Sequence, residues 1–172
     1  KVDRLTPEAP VPVFNPLRKT ENDGMARNVS NNVDALNVGI HTITNPNSIK
    51  KVRYVDHKSN QLVLRVDEHD YCDRISTSVL SSIKDNKCTI PMSGQVKIDA
   101  IIISDYCKGF LEADDIQYIC ENNSNVFVDT KKKLGEWIDN CTYLKINSLE
   151  YENNEEFLNE YYGIMDKTIV TK

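Results

Sequence analysis

The sequence lacks long apolar runs and an excess of positive charge. No apolar stretch approaches the roughly 18 residues that a membrane-spanning helix needs, and the opening Lys1-Val2-Asp3-Arg4 is not typical of a signal peptide. With 21 Lys and Arg against 26 Asp and Glu, the formal net charge is -5. The chain therefore does not build the positive field that a phosphate backbone or an anionic membrane favours. We expect a cytoplasmic protein with no nucleic-acid partner and no membrane partner.

Closely spaced cysteine pairs are also missing. The five cysteines are an odd number with irregular spacing and no Cys-x-x-Cys pair, which argues against a zinc site and against a disulfide framework. The 172 residues, 40% of them hydrophobic, suffice for one globular domain with its own core. We expect free thiols at all five positions, which are Cys72, Cys88, Cys107, Cys120 and Cys141.

The first 70 residues predict an extended arm, a helix and a small antiparallel sheet. Four prolines within residues 7–16 remove backbone donors, so this stretch is limited to an edge strand or an extended arm. Apolar residues at helical spacing between Met25 and Leu36 predict an amphipathic helix. Period-two alternation then predicts three short strands, at residues 42–44, 51–55 and 61–66.

Beyond a predicted helix at residues 75–83 and a polar connection through Cys88, Pro91 and Gly94, strand-like and helix-like segments alternate. The predicted strands lie at residues 98–103, 125–128, 142–146 and 168–172. The predicted helices lie at residues 111–121, near Trp137 and at residues 148–162. Such alternation predicts an α/β fold with a parallel sheet and crossover helices.

Polar side chains follow three successive strands of this predicted sheet. They come as pairs, namely Asp105 with Lys108, Asp129 with Lys131, and Asn147 with Glu150. Ligands bind at the carboxyl ends of strands in open parallel sheets, and lysines with carboxylate and amide oxygens suit a phosphorylated ligand with Mg²⁺. Each pair, taken alone, is also typical of a helix cap or of ordinary surface charge and need not bind a ligand. Their coincidence at successive strand ends favours one shared ligand edge.

A second polar set lies on the first helix and the small sheet. Its members are Asn28, Arg53, Gln61 and Arg65. Arginine forks and amides bind sugar hydroxyls or phosphate through directed hydrogen bonds. Ordinary exposed strand and helix residues would look the same in the sequence.

Six segments of the chain carry a recognisable series of motifs. They are residues 4–13 (RLTPEAPVPV), 24–29 (GMARNV), 61–67 (QLVLRVD), 104–109 (SDYCKG), 128–131 (VDTK) and 147–150 (NSLE). In order and spacing over nearly the whole chain, these segments resemble the heptose 7-phosphate kinase domain of bifunctional ADP-heptose synthases. That domain is a member of the ribokinase-like (PfkB) carbohydrate kinases.

The resemblance implies a partial ribokinase-like (Rossmann-like) α/β fold with a small β-sheet lid. It implies one carbohydrate kinase domain over residues 1–172, with the lid and sugar-binding part mainly in 1–70 and the α/β part in 71–172. The implied reaction is ATP-dependent phosphorylation of heptose 7-phosphate at the anomeric hydroxyl, in the synthesis of ADP-heptose for lipopolysaccharide. ATP and Mg²⁺ are the implied cofactors, and lid strands of two subunits would pair in a homodimer.

The resemblance also assigns roles to the polar residues. Those expected around the phosphorylated sugar are Asn28, Arg53, Gln61, Arg65, Asp105 and Lys108. Those expected at the ATP phosphates are Asp129, Lys131, Asn147 and Glu150. Of these, Asn147 and Glu150 would also hold Mg²⁺ through water.

The chain departs from this family at two places that matter for activity. The family's general base is an aspartate in a G-A-G-D turn, and no such turn occurs between Lys1 and Lys172. Met25 stands where the family has the second glycine of a sugar-binding turn. We therefore expect a piece of a kinase, truncated at both ends, that does not turn over by itself. The alternatives are a catalytically dead kinase-fold protein that binds or assembles, and a PfkB kinase for another sugar.

Overall fold

The computed structural model describes residues 2–47, 49–90 and 93–172. Its backbone divides into two compact units, the first comprising Lys1–Thr42 and Ser48–Asp70 and the second comprising Ile43–Asn47 and Tyr71–Lys172. Pro91, in the predicted polar connection, lies outside the described residues. Within the described ranges, no helix has the length and apolar character to cross a membrane. The assignment of one domain to residues 1–172 stays a prediction.

The first unit consists of two antiparallel strand pairs and one helix. Strand β1 (Val2–Leu5) pairs with β2 (Pro12–Phe14), and helix α1 (Met25–Asp34) follows. Strands β3 (Lys50–Val55) and β4 (Leu62–Glu68) form a hairpin. The predicted helix and hairpin are thus present, and the proline-rich arm contains one short strand.

The predicted strand at residues 42–44 is wrong. These residues have no regular secondary structure, and the hydroxyl groups of Thr42 and Ser30 form a hydrogen bond of 2.7 Å. β-branched residues have high strand propensity, but a strand forms only where a neighbouring strand completes the hydrogen-bond ladder. No described strand pairs with this segment.

The second unit begins with elements that the sequence predicts only in part. Helix α2 (Thr77–Ser81) lies within the predicted helical segment. The predicted polar connection is wrong, because its described residues include an antiparallel hairpin of β5 (Lys87–Ile90) and β6 (Gly94–Lys97). Asp85 and Asn86, with φ of 55° and 54°, form the tight turn that leads into β5.

A four-stranded parallel sheet forms the centre of this unit. Its strands are β7 (Ile101–Asp105), β8 (Val126–Thr130), β9 (Tyr143–Asn147) and β10 (Thr168–Thr171). Spatial order in the sheet follows chain order. The intervening helices are α3 (Ala113–Asn122), a 3-10 turn (Glu136–Ile138), α4 (Ser148–Glu160) and α5 (Tyr162–Met165). The parallel sheet and the small antiparallel sheets confirm the predicted α/β class, consistent with a partial Rossmann-like fold.

One face of the parallel sheet carries the core, and the other face is open. Right-handed crossovers between strands in chain order place their helices on one side. The buried side chains on that side include Ile103, Val128, Leu144 and Ile146 of the strands and Ile116, Ile119 and Leu158 of the helices. Each fully buried aliphatic side chain contributes about 1.5–3 kcal/mol. The alternate strand residues, including Ile102, Phe127 and Tyr143, are exposed on the open face.

Candidate functional site

Asp105 is a buried carboxylate at the carboxyl end of β7, and three nearby groups can donate to it or pair with its charge. The Thr130 hydroxyl donates to Oδ2 over 3.0 Å, and the Cys107 amide donates to Oδ1 over 3.0 Å. The Lys132 Nζ lies 3.4 Å from Oδ2. Because a buried charge is tolerated only when paired and hydrogen-bonded, these groups fix the carboxylate in one orientation.

Asn147 and Glu150 form a reciprocal cap at the start of α4. The Asn147 side-chain oxygen accepts from the Glu150 amide over 2.8 Å, and Glu150 Oε2 accepts from the Asn147 amide over 2.8 Å. Such a capping box satisfies two backbone donors that the first turn of a helix leaves free. The strand-to-helix connection is therefore rigid where the two residues meet the sheet edge.

Next to this cap is an open pocket of about 290 Å³, which we call the lysine pocket. Its lining residues are Lys131, Lys132, Lys133, Glu150, Asn153 and Asn154. Three lysines and one glutamate give the lining a formal charge of +2. The pocket lies beyond the carboxyl ends of β8 and β9, where ligands bind in open parallel sheets.

The backbone of the lysine pocket is held by buried Asn154. Its Oδ1 accepts from the Leu134 amide over 2.8 Å, and its Nδ2 donates to the Glu150 carbonyl over 2.7 Å. The side chain thus ties the loop after β8 to the first turns of α4. Lys131 extends over the Tyr106 ring, with Nζ 5.3 Å from the ring centroid, a cation–π contact that orients its ammonium group.

Asp129 and Lys108 lie elsewhere in the unit. The Asp129 side chain is on the open face of the sheet, where Oδ2 accepts from the Lys145 ammonium over 3.0 Å. Lys108 lies in the connection after β7, and its carbonyl accepts from the Cys72 amide over 2.7 Å. Of the predicted phosphate-binding residues, the structure brings Lys131 and Glu150 into one pocket, with Asn147 hydrogen-bonded to Glu150.

Arg53 and Arg65 of the first unit are directly opposite each other on β3 and β4. Arg65 donates from Nε and Nη2 to the two oxygens of Asp67, over 2.7 and 2.6 Å. This hydrogen bonding lowers the pKa of Asp67 to about 2. The pair leaves other guanidinium donors of Arg65 uncommitted to Asp67, since the group has five N–H bonds.

Asn28 and Gln61 are exposed in the same unit. Asn28 lies on α1, where its carbonyl accepts from the Asn32 side chain over 2.8 Å. Gln61 ends the hairpin turn, and its carbonyl accepts from the Asp56 amide over 2.9 Å. Both side chains therefore face solvent beside regular secondary structure.

The cysteines are free, as expected. Burial raises the pKa of Cys120 to about 12 and that of Cys141 to about 11, so neither thiol supplies a thiolate at neutral pH. Among the described residues, no three His, Cys, Asp or Glu side chains cluster so as to hold a metal ion.

Sequence reasoning missed Thr130, Lys132, Asn153 and Asn154. Thr130 follows Asp129 in the VDTK segment, and its hydroxyl donates to buried Asp105, a contact that depends on strand register rather than on any local pattern. Asn154 lies four residues after Glu150, one helical turn further along α4. Its bond to Leu134 depends on tertiary packing that no local pattern encodes.

The curated relatives described here are all bifunctional HldE proteins. The chain is 29% identical to the bifunctional protein HldE of Aliivibrio salmonicida (strain LFI1238) over 180 residues, covering 87% of this chain and 36% of that protein. It is 30% identical to HldE of Helicobacter pylori (strain J99) over 146 residues, covering 69% and 30%. HldE of Helicobacter pylori (strain G27) is 26% identical over 188 residues, covering 89% and 39%.

The chain spans about a third of the length of these curated relatives. No family model matches the sequence, and no solved structure matches it. The relatives confirm the resemblance that the six motif segments indicate. Over most of its length, this chain is similar to the bifunctional HldE proteins of these bacteria.

Proposed function

We propose that the chain is part of an ATP-dependent sugar kinase that phosphorylates heptose 7-phosphate at its anomeric hydroxyl, on the way to ADP-heptose. The observation that carries this proposal is the lysine pocket at the carboxyl edge of the parallel sheet, directly beside the Asn147–Glu150 cap. Similarity to the bifunctional HldE proteins supports the same function class.

Lys131, Asn147 and Glu150 are the residues we assign to the nucleotide phosphates and Mg²⁺. Lysine neutralises phosphate charge as a point donor, and carboxylate and amide oxygens suit the water shell of Mg²⁺. When bound, the metal would neutralise charge on the phosphates during transfer. The capping box keeps both oxygen-bearing side chains in place before any ligand arrives.

Asp129 belongs to the same set of predicted phosphate-binding residues. Its ion pair with Lys145 balances its charge. An anionic ligand near Asp129 would be attracted by the Lys145 ammonium group and not by the carboxylate. Its assignment to the nucleotide site stays a prediction.

Sugar binding is assigned to Asn28, Arg53, Gln61 and Arg65 in the first unit, and to Asp105 and Lys108 in the second. Their chemistry suits a phosphorylated sugar, because guanidinium forks bind phosphate oxygens while amides and carboxylates bind hydroxyl groups. This set stays a proposal in full.

Calorimetric titration of the 172-residue chain tests the proposal. Separate titrations with ATP plus Mg²⁺ and with heptose 7-phosphate should both show saturable binding. We expect Lys131→Gln to weaken ATP binding about 5- to 30-fold, corresponding to about 1–2 kcal/mol for a charged contact, and to leave the sugar affinity within about twofold. We expect Arg65→Ala to do the reverse.

The matched control is Lys58→Gln, an exposed lysine in the hairpin turn that the proposal assigns to no ligand. It should leave both affinities unchanged. Equal loss of ATP and sugar binding in Lys131→Gln and Arg65→Ala would contradict the assigned roles. Binding of ATP with a sugar phosphate other than heptose 7-phosphate would support a PfkB kinase for another sugar.

A further inference from the structure

Lys132 contributes both to the lysine pocket and to the polar contacts around Asp105. Its side chain lines the lysine pocket, and its Nζ lies 3.4 Å from Oδ2 of buried Asp105. Its amide donates to Thr130 Oγ1 over 3.1 Å, and that hydroxyl donates to the same carboxylate oxygen over 3.0 Å. A closed ring of three residues therefore connects the wall of the pocket to the end of β7.

From this ring we propose that Lys132 is a positioning residue that couples anion binding in the lysine pocket to Asp105. The inference rests on the proposed function, in which both groups lie in one catalytic domain. An anion in the pocket and the Asp105 carboxylate compete for one ammonium group. Occupation of the pocket thereby weakens the hold of Lys132 on Asp105 and frees that carboxylate for a ligand at the same edge.

Lysine is suited to this sharing, because its ammonium group has three donors on a flexible stem that can rotate toward either anion. The side chain of Lys132 is 15% exposed and that of Asp105 is 4% exposed. The competition therefore takes place in partly desolvated surroundings, where water screens it less than at the open surface.

The anion class that fits the pocket is a polyphosphate. A volume of about 290 Å³ is near the lower end of ligand pockets, roughly 300 Å³, and is enough to hold a chain of phosphates. Lys131 and Lys133 flank Lys132 in sequence and line the same pocket. Three consecutive ammonium groups match the distributed charge of a polyphosphate rather than a single monoanion.

A double-mutant cycle with inorganic triphosphate tests the coupling in the 172-residue chain. Asp105→Asn removes the competing charge but keeps an acceptor for Thr130, so we expect triphosphate to bind about 3- to 10-fold more tightly. In a Lys132→Gln background, the same Asp105→Asn exchange should change the affinity by less than about twofold. Lys133→Gln should weaken binding equally with Asp or Asn at position 105.

If Asp105→Asn tightened triphosphate binding equally in both backgrounds, the coupling would be overturned, because a general change of electrostatic potential would then explain the effect. No tightening in the presence of Lys132 would overturn it as well. Should Asp105→Asn fail to fold, the ¹³C carboxylate resonance of Asp105 in the unchanged chain provides a second measurement. Triphosphate should shift that resonance, and Lys132→Gln should abolish the shift; a shift that survives Lys132→Gln, or no shift at all, refutes the coupling.

Triphosphate contains neither nucleoside nor sugar, so this result is separable from the kinase proposal. Coupling without any binding of ATP or heptose 7-phosphate contradicts the proposed function and supports the inference. Binding of both substrates without coupling contradicts the inference alone.

Discussion

Gly109 lies at a close approach of two backbone segments that leaves no room for a methyl group. Its φ is +96°, and a Cβ built there would lie 2.7 Å from the Cys72 carbonyl oxygen. The Cys72 amide donates to the Lys108 carbonyl over 2.7 Å, and the Ile75 amide donates to the Phe110 carbonyl over 2.8 Å. Because both segments are tied on either side of the glycine, Gly109→Ala must displace one of them.

We expect Gly109→Ala to lower the free energy of unfolding of the second unit by about 2–4 kcal/mol. An L-residue in left-handed backbone costs about 1–2 kcal/mol, and each displaced hydrogen bond costs about 0.5–1.5 kcal/mol. With a urea m-value of about 1–3 kcal/mol/M, the unfolding midpoint should fall by roughly 0.7–4 M.

Urea unfolding followed by tryptophan fluorescence measures this effect. Trp137 is the single tryptophan of the chain and packs against the core of the second unit, so its emission reports that unit. Gly163→Ala in α5 is the matched control, since no heavy atom beyond its chain neighbours and the backbone of its own helix lies within 4 Å of the Cβ it would add. It should change stability by less than about 1 kcal/mol. A loss below about 1 kcal/mol for Gly109→Ala, with an unchanged m-value, would refute the reasoning.

Four further substitutions test the packing of the same unit. Arg74→Ala removes the bonds of 2.8 and 2.9 Å to buried Asp115 and should lower the midpoint of urea unfolding, because it leaves a buried carboxylate without its ion-pair partner. Burial raises the pKa of Asp115, but hydrogen bonding, chiefly from Arg74, outweighs it and leaves that pKa below its usual value. This stabilisation is present above the unfolded-state pKa and is lost as pH falls through the lower folded-state pKa. Below about pH 4, the usual aspartate value, the free energy of unfolding of the unchanged chain should therefore decrease more steeply with falling pH than that of Asp115→Asn. Leu158→Ala at a fully buried position should cost about 2–5 kcal/mol in thermal unfolding. Asn154→Leu leaves the Leu134 amide without its acceptor, so it should cost about 1–3 kcal/mol and speed hydrogen exchange at that amide.

Each of these predictions has a contradicting result. Parallel acid profiles for the unchanged chain and Asp115→Asn would show that the ion pair does not stabilise the fold. A Leu158→Ala chain as stable as the original would mean that the sheet and α4 do not form one core. Unchanged exchange at Leu134 in Asn154→Leu would show that the loop after β8 is held by other contacts.

The parallel sheet was predictable because its strands are apolar runs separated by helical periods. The ends of its strands were harder to predict from the sequence. The sequence predicts that the first of these strands ends at Ile103, whereas β7 continues to Asp105. The extension exists because Asp105 pairs in register with Thr130 of β8, and register between distant segments is absent from any local pattern.

The β5–β6 hairpin was not predictable for the same reason. Asn86, in the turn before β5, exchanges hydrogen bonds with Ser124 across 38 residues of sequence, and its amide donates to the Asn123 side chain over 3.0 Å. These bonds hold the polar turn at Asp85 and Asn86 in the left-handed conformation. The local sequence pattern alone does not specify that conformation. Propensity indicates a loop, and tertiary hydrogen bonds override it.

At the candidate site, the sequence indicates which residues reach the sheet edge but not how they pair. The N-x-x-E spacing predicts a helix start, and the structure has the Asn147–Glu150 capping box there. In contrast, the pairing of Asp129 with Lys145 and of Asp105 with Lys132 depends on strand register and loop geometry. Residues that are adjacent in the sequence, such as Asp129 and Thr130, lie on opposite faces of one strand. Their side chains therefore have different surroundings, which the sequence alone does not reveal.

The chain-order arrangement of the parallel sheet determines how the sheet can assemble. The register pairs Ile103 with Val128, Val128 with Leu144, and Leu144 with Thr168, so each pairing closes a loop of only about 16 to 25 residues. No strand has to insert between two that are already joined. Chain order therefore permits these four strands to pair one after another, from β7 to β10, as each becomes available.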